Sequence, residues 1–238
     1  MIACFSLGTA QLFDKSLQKV LWFSLILSAI LLAMLWSLVG ITLSQLELLS
    51  TGWFYGAFDW VFIKITNIFG SVLILGLTWF LFPSIVTLII TFFLEHVIKA
   101  VERKHYPNLP KQRQQNTWDV VRITIRFMLL SGSLNVLVVP FYAVFFWLGP
   151  INLLIFYTLN GYLLGKEYFE LVAYRRLETN KVKNLFNMSR VSIFKFGIFS
   201  ALLMTVPIVN MIAPIISVAA MVHLVQKYIN NFTRLESE

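Results

Sequence analysis

Residues 127–165 read FMLLSGSLNVLVVPFYAVFFWLGPINLLIFYTLNGYLLG, without one charged side chain. A helix crosses a bilayer core in about 20 apolar residues, so this run is too long for one crossing. A barrel reading fails too, because transmembrane strands are segments of roughly ten residues with alternating polarity, and here Leu, Ile, Phe and Val follow one another continuously. The run is divided at Gly149-Pro150, where proline disfavours helical conformation in the residue before it. The stretch therefore predicts two helical arms and a tip, Pro150-Ile151-Asn152.

Three more uncharged runs flank it: Val20 to Leu46, Ile65 to Leu94 and Phe196 to Gln226. An Asp, Lys or Arg at the centre of a spanning helix costs about 2.5–3.5 kcal/mol on insertion, which gives the blocks a physical cause. With 58% hydrophobic and 13% charged residues and a mean hydropathy of +0.79, the composition is that of a chain whose partner is the lipid bilayer. Backbone groups in lipid must be satisfied internally, so the expected fold is an all-α integral membrane protein, one membrane domain over residues 1–238. Spanning helices are expected at 20–43 and 68–94. Residues 196–226 repeat the hairpin design around Pro207 and Pro214, with the tip Pro207-Ile208-Val209-Asn210. Neither tip carries a charge, which favours re-entrant hairpins turning inside the bilayer over six complete spans. Residues 1–19 form an interfacial segment or an ordered tail, with Ile2, Phe5, Leu12 and Phe13 weakly patterned. The first apolar run is about twice the length of a signal-peptide core, so it is expected to stay as an anchor.

Net charge is +8, concentrated between the runs. Residues 95–126 and residues 166–195 each hold seven Lys or Arg against three acids, whereas Lys64 faces Glu47 and Asp59 between the first two spans. The positive-inside rule places both basic loops and both termini in the cytoplasm, although dual insertion would weaken that argument. Lys and Arg beside a span rest against anionic headgroups at about 1 kcal/mol each. That accounts for the charge without a nucleic acid, which is not expected as a partner.

Chemistry-bearing motifs are scarce. His96, His105 and His223 are scattered and Cys4 is the single cysteine, so neither a metal, a cofactor nor an intrachain disulfide is expected. No phosphate-binding glycine loop or nucleophile elbow occurs, and the chain is not expected to be an enzyme. The nearest polar set, Glu95, His96, Glu102 and His105, reads as a solvated helix face. His223 inside the last run reads as interfacial, four residues before Lys227. Asn135, Asn152, Asn160 and Asn210 either line a solute path or cap broken helices. Gly161 and Gly165, like Gly52 and Gly56, have the spacing of close helix packing or self-association.

The stretch Leu159-Asn160-Gly161-Tyr162-Leu163-Leu164-Gly165-Lys166-Glu167-Tyr168-Phe169-Glu170-Leu171-Val172-Ala173, with Arg175-Arg176-Leu177 after it, resembles bacterial members of the CysZ-like family, grouped with the eukaryotic etoposide-induced protein. Thr205-Val206-Pro207-Ile208-Val209-Asn210, with Ala213-Pro214, is similar to that family's closing hairpin. The resemblance implies two long spanning helices, two partly penetrating hairpins, an inner-membrane homo-oligomer and uptake of sulfate, a small inorganic anion. It also implies an anion site at a glycine-leucine-arginine motif before the first span. That position reads Ser16-Leu17-Gln18, between Lys15 and Lys19. A neutral amide stands where the family has a forked, permanently charged donor. Lys15 and Lys19 supply charge there or simply anchor the span. A permease for sulfate or a related anion is the leading reading, and a non-transporting membrane scaffold the second.

Overall fold

The computed structural model describes residues 2–47, 59–110, 112–113 and 117–237; Gly52, Gly56 and Lys111 lie outside them. Among the described residues every regular element is a helix. A short helix α1 (Ile2–Ala10) and a 3-10 turn (Gln11–Phe13) precede α2 (Lys15–Glu47) and α3 (Asp59–His105). Then come α4 (Thr117–Val144), α5 (Gly149–Ala173), α6 (Thr179–Thr205), the single turn α7 (Pro207–Asn210) and α8 (Ala213–Ser237).

Among the described residues four stretches are long and apolar enough to cross a membrane: Lys15–Leu38, Gly76–His105, Val121–Val144 and Thr179–Thr205. At 33 and 47 residues, α2 and α3 extend about 50 and 70 Å, well beyond a hydrocarbon core of about 30 Å. The helices outrun the uncharged stretches because a helix satisfies its own backbone in water as well as in lipid. The basic segments are consequently largely helical, with α3 reaching His105, α4 starting at Thr117 and only residues 174–178 between α5 and α6. Pro150 falls in the first turn of α5, where its missing N–H would have had no intrahelical partner. The break between α4 and α5 therefore sits a few residues earlier, over residues 145–148.

The core is organised around α8, whose residues from Ala213 to Gln226 are buried throughout. A helix that is apolar on all sides needs neighbours on all sides; α1, α3, α5 and α6 supply them. On α3 the stripe Val86, Ile90, Leu94, Val97 and Val101 is buried, at the i, i+4, i+7 spacing of one helical face. The N-terminal segment is ordered: Phe5 of α1 stacks on Phe196 at 4.4 Å between ring centroids. Gly8 lies so close to α8 that a Cβ there would be 2.8 Å from the Ile216 carbonyl oxygen.

Most extensive of all is the packing of α5 on α6. Lipid tails are as apolar as leucine, so helices in a membrane associate through close backbone approach more than through hydrophobicity. Gly161 and Gly165 of α5 meet Gly197 of α6 in such an approach. The helix α4 is the exception, contacting the rest mainly through α5 and leaving Met128, Leu129, Val136, Leu137 and Phe141 exposed.

Candidate functional site

The basic ends of the helices converge and are stitched together by polar contacts. Lys104 at the end of α3 pairs with Asp14 at the start of α2. Asp14 also closes the first turn of α2, its carbonyl accepting from the Leu17 and Gln18 N–H groups at 3.0 and 2.9 Å. Between the two helices lies a cavity of about 210 Å³ lined by Asp14, Lys15, Ser16, Leu17, Ala100, Arg103 and Lys104. Three cations stand there against one carboxylate, beside the N-terminus of α2, where the helix dipole adds partial positive charge.

Lys15, Ser16 and Leu17 are thus brought to one cavity, Leu17 buried and the other two exposed. Gln18, half-buried, and Lys19, exposed, do not line it. Sequence reasoning missed Arg103 and Lys104, which come from more than eighty residues away. The one signal for them was the run Arg103-Lys104-His105 closing a helix, a charge cluster with ordinary uses at any helix C-terminus. Arg103 brings a guanidinium to the region where Gln18 brings none.

At the tips, Asn152 donates its amide to the Phe145 carbonyl at 3.0 Å, tying α5 to the preceding turn. Pro150 and Pro207 open α5 and α7, and the Asn210 N–H reaches the Val206 carbonyl at 2.7 Å. Tyr157 donates to Thr205 Oγ1 at 3.1 Å and so joins α5 to α6 near that end. Asn135 and Asn160 donate to carbonyls one turn back on their own helices.

His223 of α8, outside the four spanning stretches, is buried in a polar network. Its Nε2 lies 2.7 Å from Gln11 Nε2 and its Nδ1 2.8 Å from the Tyr106 hydroxyl. The Gln11 amide donates to Nε2, so in the neutral ring Nδ1 carries the proton and faces the phenol oxygen. Burial, then the neighbouring His105, lowers the His223 pKa to about 4. The neutral ring is the form the fold requires. Its contribution to stability is complete above the ordinary histidine value near 6.5 and is lost as pH falls from there toward 4. Thermal stability is expected to decline by about 1 kcal/mol per pH unit across that window, and His223→Gln is expected to flatten the decline, as read from melting midpoints between pH 7 and 4.5. An unchanged slope in the variant would refute the assignment.

Comparison with known families bears directly on this arrangement. The family described as "Sulfate transporter CysZ/Etoposide-induced protein 2.4" matches residues 4–214. The chain belongs to this family. Neither the curated proteins nor the solved structures contain a match to the chain. The family match runs from α1 into the first turn of α8, so it takes in the cavity at Lys15, Ser16 and Leu17, both proline tips and the α5–α6 glycine contact. The CysZ/etoposide-induced family is one of multi-pass membrane proteins and not of enzymes, and among the described residues no group of three His, Cys, Asp or Glu is placed to hold a metal ion.

Proposed function

We propose that this member of the family is a permease for a small inorganic anion, with sulfate the first candidate, and that the anion enters at the cavity between the start of α2 and the end of α3. The observation that carries the reading is the meeting of Lys15, Arg103 and Lys104 at the N-terminus of α2. Helix N-termini bind oxyanions through N–H groups and the helix dipole, and an arginine fork suits the oxygens of a tetrahedral anion. Arg103 then takes the part that an arginine at position 18 would play. The proposed setting is the inner membrane, with the basic end in the cytoplasm by the positive-inside rule. The hairpins α4–α5 and α6–α8 are proposed as re-entrant, and the bare face of α4 is proposed to be covered in a homo-oligomer. Proton coupling has no visible residue, since the apolar runs hold no carboxylate.

Radiolabelled sulfate uptake into liposomes tests this. Uptake by the protein is expected to saturate and to exceed that of empty liposomes. Lys15→Gln and Arg103→Gln are each expected to lower it about tenfold at subsaturating sulfate, the loss of one charge-assisted contact. Asp14→Asn is expected to raise apparent affinity, because it removes the one negative charge of the cavity and frees Lys104. A specific observation favours a second reading, a scaffold that transports nothing: Gln18 replaces the family arginine and Asp14 already occupies Lys104. Absence of uptake in folded, inserted protein would decide for it.

A further inference from the structure

A second cavity, of about 550 Å³, opens between α4, α5 and α6. Its volume lies within the roughly 300–1,000 Å³ of small-ligand pockets. At its rim stand Arg122 and Arg126 of α4, Lys166 of α5 and Lys183 of α6, with Glu170 the one acid. Glu170 is taken by Lys166, which also lies 5.7 Å from the Phe186 ring centroid. Arg122, Arg126 and Lys183 are exposed and have no carboxylate partner among the described residues. Three cations thus converge on a cleft whose one lining acid, Glu170, is already paired with Lys166. The Tyr174 hydroxyl senses the arrangement: burial and Glu170 raise its pKa, while Arg126 pulls it down.

The other wall is apolar. Ile123, Phe127 and Leu130 follow one another along one face of α4 at i, i+4 and i+7 and look toward Tyr162 and Phe186. Arg122 and Arg126 stand in the first two turns of the apolar stretch Val121–Val144, where the helix leaves the basic end. A free anion has no use for an apolar wall leading into the membrane. A molecule with an anionic head and an apolar tail uses both, and basic clefts between membrane helices hold such headgroups.

We propose that the cleft between α4, α5 and α6 is a binding site for an anionic phospholipid, its phosphate held by Arg122, Arg126 and Lys183 and an acyl chain laid along Phe127 and Leu130. The lipid fills the wedge that α4 leaves open and braces that helix against α5 and α6. None of these residues lines the cavity between α2 and α3, so the site stands or falls independently of anion transport.

The test uses full-length protein, stripped of lipid in detergent and titrated with phosphatidylglycerol or phosphatidylcholine under native mass spectrometry. Phosphatidylglycerol is expected to bind at least tenfold more tightly. Arg122→Gln/Arg126→Gln/Lys183→Gln is expected to weaken it about a hundredfold, roughly fivefold for each charge removed, and to leave phosphatidylcholine unchanged. The charge-preserving Arg122→Lys/Arg126→Lys keeps most of the affinity, and Arg190→Gln/Lys195→Gln, on exposed positions of α6 outside the cleft, keeps all of it. If the triple variant aggregates, the fivefold loss in Lys183→Gln is read in its place. Equal losses in the cleft and control variants would reduce the effect to diffuse surface charge and overturn the proposal. So would unchanged phosphatidylglycerol binding in the cleft variants, or its displacement by inorganic phosphate at equal concentration, which would make the cleft a site for the free anion.

Discussion

Gly197→Leu is expected to abolish recovery of folded protein, while Gly132→Ala leaves stability within about 1 kcal/mol, the scale of a helix-propensity change. A Cβ at Gly197 would stand 1.8 Å from the Gly161 carbonyl oxygen and 2.6 Å from the Gly165 nitrogen. From the other side, a Cβ at Gly165 would be 2.5 Å from the Ile193 carbonyl oxygen, and one at Gly161 3.0 Å from the Ile198 nitrogen. These obstacles are main chain on both helices. Overpacking costs about 1–3 kcal/mol when side chains can move aside; here α5 and α6 must separate, and the close approach that holds them is lost. Gly197→Ala is expected to cost at least 3 kcal/mol, a large part of a total of about 5–15 kcal/mol. Gly132 of α4 has no atom within 4 Å of such a Cβ and supplies the control. Size-exclusion profiles and melting midpoints in detergent read the result, and a monodisperse, wild-type-like Gly197→Leu would disprove the contact. The glycine pair of α5 is thereby used within the chain.

The sequence displayed the all-α class and the uncharged runs because the cost of charge in lipid is written into composition. It did not display which apolar helix faces lipid and which is enclosed by protein. The run from Phe196 to Gln226 looks uniform in sequence, yet Phe199 and Leu202 are exposed whereas Val218, Met221 and Val222 are sealed. Leucine-like residues serve both environments equally well, and the one distinguishing mark is the small-residue content of α8 at Ala213, Ser217, Ala219 and Ala220. Charge marks the membrane boundary, not the end of hydrogen bonding, so α3 runs on past its apolar run through Glu102 and Arg103 to His105. Of the cavity between α2 and α3, the resemblance pointed to Ser16 and Leu17 on the α2 side, and Gln18 falls outside its lining. The α3 side was not legible, because nothing local to Arg103 states which helix it will meet.

That same end of α3 carries the second large expected effect: Glu102→Ala is expected to destabilise the protein by about 3–5 kcal/mol, the cost of leaving buried charge unpaired. Its carboxylate is nearly sealed, with side-chain exposure of 5%, and it holds Arg176 bidentately, at 3.0 Å to Nε and 2.7 Å to Nη2. Arg176 also donates to the Pro110 carbonyl, and Gln112 reaches Glu102 at 3.5 Å, so one acid fixes the connection between α3 and α4 to the end of α5. Arg175 is placed differently. Its guanidinium is buried, yet the carboxylates of Glu95 and Glu102 lie 3.7 and 3.9 Å away, and its Nε and Nη2 make no hydrogen bond. Desolvation without hydrogen bonds cancels most of what those two ion pairs return. Arg175→Met is therefore expected to change stability by less than about 1 kcal/mol, while Arg176→Met approaches the loss of Glu102→Ala, because it strips Glu102 of its bidentate partner. The combined Glu102→Met/Arg175→Met/Arg176→Met is expected to recover most of the single losses, as apolar replacements of buried ion clusters do. Melting midpoints and limited proteolysis at residues 106–113 distinguish the cases. Equal penalties for Arg175→Met and Arg176→Met would show the two arginines to be equivalent and the hydrogen-bond geometry immaterial.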